Sequence, residues 1–295
     1  MFVFLTSIRH PDNANDFAKV ERLLTVTLTS ICGQTNPDFQ VVVVCNSLPK
    51  VAIEDPRIHF HVVDFPVPSK QKASALEAAP KFKDKGTKYM SGLLYAKRFN
   101  PDYVYIIDSD DWVNKELVHC LASQPKYPVW YVDKGYVVDH GKKDYRKISG
   151  LSRYCGSTFV YDYTYLMDHA DIKGEINEHS SQEGLIEGTS EYFILKLICN
   201  HTINYRHFKA EGVEPKAIPL RTACWIQGTG ENVSGTAGFS HGLPIDQHFI
   251  ETFSLPEDYM SARKPSLANQ IRDILTGWFS SYKWYQSKRT GTNRF

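Results

Sequence analysis

Apolar and polar positions along the first third of the chain predict strands and helices in turn. The predicted strands are FVFLTSI, FQVVVVCNS, RIHFHVVDF and YVYIIDSDD. The β-branched run in the second of these is typical of a strand that is covered on both faces of a parallel sheet. Apolar residues at helical spacing predict helices at VERLLTVTLTSICGQ and KGTKYMSGLLYAKRF. The order of these elements predicts an α/β fold with a mostly parallel central sheet flanked by helices.

The pattern changes after Asp111, where the predicted elements become shorter and more mixed. A short helix is predicted at NKELVHCLASQ, strands at VWYVDKGYVVD and STFVYDYTYL, and helices at GTSEYFILKLICN and SLANQIRDILTGWFSSYKWYQSKR. The stretch from Asn204 to His248 is rich in glycine and polar residues, which predicts loops. The Pro-, Lys- and Ala-rich segment PVPSKQKASALEAAPKFKDKG predicts a surface loop or a lid beside a ligand.

Composition excludes several classes of protein. The formal net charge is +1, so no overall charge draws the chain to nucleic acid or to a membrane. No apolar run reaches the roughly 18 residues that a membrane span needs, and the N-terminal segment predicts a first strand rather than a signal peptide. The six scattered cysteines form no C-x-x-C pair, which predicts reduced thiols and a cytoplasmic location.

Candidate chemistry begins where the fourth strand ends, at YVYIIDSDDWV. Asp108, Asp110 and Asp111 repel one another, and burying them is costly unless a cation joins them. Residues two apart in an extended segment face the same way, so Asp108 and Asp110 can converge on one point. Carboxylate oxygens suit Mn²⁺ or Mg²⁺, which would also neutralise a ligand diphosphate. The alternative is an acidic turn that caps the next helix.

Three blocks of the first 115 residues resemble GT-A-fold glycosyltransferases, the nucleotide-diphospho-sugar transferases, and particularly the inverting family-2 type. TSICGQTNPDFQVVVVCNS is similar to that family's first helix, turn and second strand. DKGTKYMSGLLYAKRFNPDYVYIIDSDDWV is similar to its next helix, its strand and its D-x-D-D motif. The blocks also occur in the family's order. CGSTFVYD, GTSEYF and WIQGTGENVSG in the second half resemble bacterial sugar-transferase members.

The resemblance implies roles for residues of the donor half. Asp110 would be the main metal ligand, Asp108 would contact the metal or the ribose, and Asp111 would support the metal shell or the sugar. Thr6, Ser7 and Arg9 would line the nucleotide site. The family often has an acidic residue after the second strand, where this chain has Cys45-Asn46-Ser47, so the base partner would be Asn46. Lys88 is expected near the sugar or diphosphate, at what is predicted to be a helix start; the alternative is a solvated lysine.

Residues of the second half would serve the acceptor. An inverting transferase needs one general base, and the resemblance places Glu191 of GTSEYF in that role. Four nearby glutamates are rivals: Glu175, Glu178, Glu183 and Glu187. Gly156 and Ser157 could approach the sugar or form a simple turn. His241 could be a late metal ligand or a surface histidine.

The resemblance therefore implies a metal-dependent glycosyltransferase of the hexosyltransferase type, with a nucleotide-sugar donor. Its acceptor would be a glycan or a lipid-linked saccharide, as in polysaccharide biosynthesis. The expected division is a nucleotide-sugar-binding half at 1–115, an acceptor-binding half at 116–260 and a basic helical tail at 261–295. That tail could dock on the core or on a second subunit, or lie on the inner face of a membrane. The alternatives are a non-catalytic glycan- or partner-binding protein of the same fold and a haloacid-dehalogenase-type phosphohydrolase.

Overall fold

The computed structural model describes residues 1–69, 80–231, 242–264, 266–272, 274 and 275. The strands are β1 (Phe2–Ser7), β2 (Phe39–Cys45), β3 (Ile58–Val62), β4 (Tyr103–Ile106), β5 (Trp112–Val113), β6 (Val129–Tyr131), β7 (Lys134–Asp139), β8 (Asp144–Ser149), β9 (Phe159–Asp162), β10 (Lys216–Ala217), β11 (Arg221–Gln227) and β12 (Leu243–Pro244). The α-helices are α1 (Phe17–Cys32), α2 (Pro80–Ala96), α3 (Leu117–Ala122), α4 (Tyr163–Asp168), α5 (Gln182–Glu187), α6 (His201–Ala210) and α7 (Gln247–Phe253). A π-helix covers Phe193–Leu197, and 3₁₀ turns cover Pro11–Asn13, Lys97–Phe99, Leu151–Arg153 and Glu257–Tyr259.

The larger sheet has the strand order β10-β6-β9-β4-β1-β2-β3. Strands β3, β2, β1 and β4 are parallel, and β9 runs antiparallel to both β4 and β6. Leu5 of β1 lies between Val42 of β2 and Ile106 of β4, so β1 and β4 end at the same edge. The predicted α/β fold, with a mostly parallel sheet flanked by helices, is confirmed.

A second sheet has the order β12-β8-β7-β11-β5. Strand β5 follows directly on the acidic cluster and pairs with β11, which in turn pairs with β7. The segment that includes the cluster therefore joins the two sheets. The first 115 residues and the rest of the chain share both sheets, which holds the two halves in one structure.

Two cores cover the faces of the larger sheet, as expected for buried parallel strands. Val3 and Leu5 of β1 pack with Met90 of α2 in one core. Phe2 and Phe4, which point the other way, pack in the second core with residues of α1 that include Leu24 and Leu28. The alternation of side chains along β1 thus fixes α1 and α2 on opposite faces.

Helix α2 begins five residues earlier than the pattern predicts, at Pro80. The segment Asp84 to Lys88 therefore lies inside the helix, so the predicted helix start that would attract anions to Lys88 is wrong. Residues 70–79 of the predicted loop or lid lie outside the described residues.

Two predictions for the second half are also wrong. The predicted strand STFVYDYTYL continues as helix α4 because the Asp162 side chain caps it, accepting a hydrogen bond from Tyr165 N. The predicted loop region from Asn204 to His248 contains most of α6, which Asn200 caps, and all of β11. Strand β11 is stabilised by partners on both edges, which local composition does not reveal.

Residues 267–272 of the tail are helical, and several of their apolar side chains face solvent. The exposed fraction is 72% for Leu267, 50% for Ile271, 68% for Ile274 and 51% for Leu275. Docking on the core is therefore wrong for these side chains, whereas Trp278 and Phe279 lie outside the described residues. Within the described residues, no helix is both long enough and apolar enough to span a bilayer.

Candidate active site

The three aspartates occupy a tight turn at the shared edge of β1 and β4. Ile107 N donates to Leu5 O, and Asp111 N donates to Asp108 O over 3.1 Å. The segment is therefore a turn and not the extended strand that the alternation argument assumed. Asp108 and Asp110 both line a cleft, so the turn brings them to the same site.

Asp111 ties the two sheets together from within the protein. Its Oδ2 accepts from Ser157 Oγ over 2.6 Å and from Cys155 Sγ over 3.1 Å. Its Oδ1 accepts from Ile226 N of β11 over 3.0 Å. Both oxygens are thus bound within the protein and the residue is only 1% exposed, although Asp111 also borders the cleft, so its role in a metal or sugar shell stays a prediction.

Asp108 is held by the neighbouring helix. Its Oδ1 lies 2.5 Å from Lys85 Nζ and 3.3 Å from Tyr89 Oη, both on α2. Its backbone N donates to Ser157 Oγ over 2.8 Å. A Cβ at Gly156 would lie 2.7 Å from Asp108 Oδ2, so only glycine lets the chain pass so close. Gly156 thus makes room for a carboxylate, and Ser157, which is fully buried, supports the turn rather than a sugar.

The turn disfavours ionisation of two of its three aspartates. Burial and the neighbouring carboxylates of Asp111 and Asp108 raise the pKa of Asp110 well above its usual value. Burial and Asp108 raise the pKa of Asp111 to about 7. Burial also opposes ionisation of Asp108, but the Lys85 ammonium outweighs it and lowers that pKa. An additional cation at this turn would therefore be stabilised.

The cleft above the turn has a volume of about 690 Å³, large enough for a nucleotide-sized ligand. Ser7 and Arg9 line it, as predicted; Ser7 ends β1, and Arg9 lies just after that strand. Trp225 and Tyr154 form one wall, with ring centroids 6.3 Å apart and planes only 10° from parallel. The cleft thus combines carboxylates, cations and an aromatic wall.

Arg9 joins the loop after β1 to the segment after β11. Its Nη1 donates to Glu231 Oε2 over 2.9 Å, and Glu231 Oε1 also accepts from Asp16 N over 3.0 Å. Glu231 is buried, whereas the Arg9 side chain is 26% exposed, so water reaches only the Arg9 side of this pair. Arg9 therefore lines the cleft while its ion pair with Glu231 links the two segments.

Several predicted site residues lie outside the residues that line the cleft. Thr6 is fully buried, and the Asn46 amide donates to the carbonyls of Val63 and Phe65. Glu191 is exposed to solvent. The structure thus corrects these three expected placements. His241 lies outside the described residues.

Lys88 is also absent from the cleft lining, because its ammonium is fully buried. It donates to Ile8 O and to Asp84 Oδ2, each over 2.9 Å. Both the ligand-facing and the solvated alternatives are therefore wrong for Lys88, which holds the end of β1. Lys85, one turn earlier, carries the charge that faces the cleft.

His201 is a cleft residue that the sequence pattern did not indicate. It begins α6, and burial lowers its pKa to about 4, so its ring is neutral near pH 7. Among the described residues, its Nε2 has no hydrogen-bond partner. The sequence around His201 gives no sign that this residue lies near Asp108. Only the tertiary fold brings the start of α6 to the cleft.

No protein-family model and no curated protein matches the chain. Solved structures that resemble it include S. aureus TarS, with a TM-score of 0.41 and 13% identity over 76% of this chain. The chain spans only 36% of the length of that protein. A shorter form, TarS 1–349 in complex with UDP-GlcNAc, has a TM-score of 0.38 and 15% identity over 80% of this chain and 61% of its own.

A third structure is the 4-diphosphocytidyl-2C-methyl-D-erythritol synthase of Anaerococcus prevotii. Its TM-score is 0.36 and its identity 10%, over 80% of this chain and 91% of its own. At such scores and identities, these similarities do not establish a shared activity.

Proposed function

We propose that this protein is a metal-dependent glycosyltransferase that moves a sugar from a nucleotide-diphosphate sugar to an acceptor hydroxyl of a glycan or lipid-linked saccharide. The observation that carries the proposal is the position of Asp108 and Asp110. They lie where the parallel strands β1 and β4 end, at the base of a cleft of about 690 Å³. Open α/β sheets bind ligands beyond the carboxyl ends of their strands.

The donor set of the turn fits Mn²⁺ or Mg²⁺, which prefer carboxylate oxygens. Asp110 and Asp108 would hold the ion, because the oxygens of Asp111 are bound within the protein. The raised pKa of Asp110 shows that the turn disfavours a further negative charge, which a cation would compensate. When bound, such an ion supplies positive charge opposite a diphosphate.

The protein's own cations define the side of the cleft on which a diphosphate would be stabilised. Lys85 and Arg9 line it, and each is oriented by a carboxylate, Asp108 and Glu231 respectively. The aromatic rings of Tyr154 and Trp225, which both line the cleft, would each offer an apolar face for a base or a sugar ring. The cleft therefore has separate polar and aromatic regions, as a nucleotide-sugar requires.

Transfer with inversion is part of the proposal and needs a base beside the acceptor. Glu191 does not line the cleft, so we do not assign it this role. The proposed use of a nucleotide-sugar donor can be tested without knowing this base. Hydrolysis of the donor to the nucleoside diphosphate needs no saccharide acceptor and reports on the donor site alone.

The deciding experiment compares Asp110→Asn with the parent protein for release of nucleoside diphosphate from UDP-, GDP- and dTDP-sugars in the presence of Mn²⁺. We expect at least a roughly 100-fold loss, of the size seen when one charge-stabilising group is removed. Asp168→Asn, which changes an exposed aspartate at the end of α4, is the matched control. Equal turnover by Asp110→Asn and the parent would exclude the proposed metal role. Thermal stabilisation by nucleotide-sugars without turnover would favour the binding-only alternative.

A further inference from the structure

Two histidines and a glutamate meet where α4 and α6 lie side by side. His169 follows the last residue of α4, and His207 and Glu211 are four apart and share a face at the end of α6. His169 Nε2 lies 2.6 Å from Glu211 Oε2, and His207 Nε2 lies 3.4 Å from Glu211 Oε1. One ligand atom from each residue lies within 4.8 Å of the other two. None of the three lines the cleft, so this cluster is separate from the aspartate turn.

The other ring nitrogen of each histidine is oriented by a neighbour. His169 Nδ1 lies 2.8 Å from the carbonyl oxygen of Tyr165, and His207 Nδ1 lies 3.3 Å from the hydroxyl of Tyr192. In metal sites, a histidine ligand usually donates its second N–H in this way, which fixes the tautomer and the ring. Both Nε2 atoms are thereby directed at the Glu211 carboxylate.

The hydrogen bonds around the two histidine rings are incomplete. Both ring nitrogens of His169 face atoms that only accept, the Tyr165 carbonyl and the Glu211 carboxylate. Two protons on the ring would satisfy them, and so would a cation shared by Nε2 and the carboxylate. His207 Nε2 is buried and has no hydrogen-bond partner among the described residues. A single cation bound by both Nε2 atoms and the carboxylate would satisfy both rings at once.

The donor set also restricts the kind of ion. Two imidazole nitrogens and one carboxylate oxygen suit Zn²⁺ and its transition-metal neighbours, whereas Mg²⁺ and Ca²⁺ prefer oxygen alone. The side chains of His169 and His207 are 15% and 16% exposed, and that of Glu211 is 42% exposed. One side of the cluster is therefore open to water, which zinc accepts as a fourth ligand.

We propose that His169, His207 and Glu211 bind Zn²⁺ through the two Nε2 atoms and the carboxylate, with water in the remaining position. The ion fastens the end of α4 to the end of α6. Because His207 and Glu211 lie on the helix that His201 begins, the ion also braces the element that carries His201 to the cleft.

The test is a zinc titration of the full chain after treatment with a chelator, in competition with a chromogenic zinc indicator. His207→Ala and Glu211→Gln are each expected to weaken zinc binding at least about tenfold, the lower limit for disturbing even an outer partner of a zinc site. His248→Ala removes an exposed histidine on α7 and is expected to bind as the parent does. Asp110→Asn is also expected to retain this zinc, which separates it from ions at the aspartate turn.

The proposal would be overturned if Glu211→Gln and His207→Ala both bound zinc as tightly as the parent. It would also be overturned if the parent itself bound no zinc beyond the amount that these variants bind. Because Glu211 is partly exposed, Glu211→Gln decides the question if His207→Ala fails to fold. Nitrogen NMR of the histidine rings gives a second measurement. Zinc should shift the Nε2 signals of His169 and His207 and leave that of His248 in place.

Discussion

Lys85 Nζ lies 2.5 Å from Asp108 Oδ1, one turn of helix before the fully buried Lys88. The Lys85 ammonium of α2 thus already contacts the Asp108 carboxylate, which would also bind the proposed metal ion. The side chains of Lys85 and Asp108 are each 30% exposed, so the pair lies at the cleft wall rather than in the core. This pairing makes binding of a divalent ion and the position of Lys85 interdependent.

The first prediction is that Lys85→Met increases the stabilisation that Mn²⁺ gives. Without Mn²⁺ the free energy of unfolding of the variant should be lower than that of the parent by about 1–3 kcal/mol. The loss is smaller than for a fully buried ion pair, because water screens the partly exposed pair of Lys85 and Asp108. With Mn²⁺ the ion no longer competes with an ammonium at Asp108, so the shift in Tm should exceed that of the parent. Urea and thermal unfolding with and without Mn²⁺ measure both effects.

Lys83→Met is the matched control for this prediction, since Lys83 pairs with Glu183 at the surface of the same helix. It should leave the Mn²⁺ shift as in the parent. Identical Mn²⁺ shifts in Lys85→Met and the parent would show that Asp108 does not share the ion.

The second prediction concerns the buried pair of Lys88 and Asp84. Burial lowers the pKa of Lys88 and raises that of Asp84, so each depends on the other to stay charged. Lys88→Met and Asp84→Asn should each lower the free energy of unfolding by about 3–5 kcal/mol, because each substitution leaves the partner side chain buried and unpaired. The free energy of unfolding that the double variant loses should be smaller than the sum of the two single losses by at least about 1 kcal/mol.

Urea unfolding of the parent, both single variants and the double variant closes this thermodynamic cycle. Strictly additive losses would mean that the two side chains do not stabilise one another, and that the 2.9 Å contact between them contributes little.

The third prediction concerns the space that Gly156 leaves for Asp108. In Gly156→Ala the new methyl group would lie 2.7 Å from Asp108 Oδ2 and push the carboxylate out of position. Donor hydrolysis should fall at least about tenfold, because a small displacement of a positioned group is costly to catalysis. Gly141→Ala is the control, since its nearest neighbour would lie 3.6 Å away, which is ordinary contact. Turnover as high in Gly156→Ala as in Gly141→Ala would contradict this prediction.

The fourth prediction is a pH dependence that comes from His201. The folded state holds its pKa at about 4 through burial, whereas an unfolded histidine titrates near about 6.5. Between these values the unfolded chain binds more protons, so the free energy of unfolding falls as pH is lowered through this window. His201→Gln should remove this part of the acid destabilisation, up to about 3 kcal/mol at pH 4.

Urea unfolding at several values between pH 4 and pH 7 measures this slope in both proteins. His248→Ala, which changes an exposed histidine, should keep the slope of the parent. An equally steep slope in His201→Gln would assign the acid sensitivity to other buried histidines, such as His61.

The parallel strands and the place of the acidic turn follow from the sequence alone. Strands β1, β2 and β4 are apolar runs whose side chains alternate between two cores, and such runs need no distant information to be recognised. Asp108, Asp110 and Asp111 interrupt the last of these runs, so their position at a strand end is also a local property. The positions of Ser7 at the end of β1 and of Arg9 just after it are local properties of the sequence in the same way.

The tertiary structure alone decided which of these side chains face the cleft. Local pattern treats Lys85 and Lys88 alike, but the two point in different directions on α2, and only packing against β1 determines which one is buried. Asp111 is bound by Ser157 and by Ile226, which are 46 and 115 residues away along the chain. Contacts at such separations depend on how the two sheets pack, and no short-range pattern of residues contains that information.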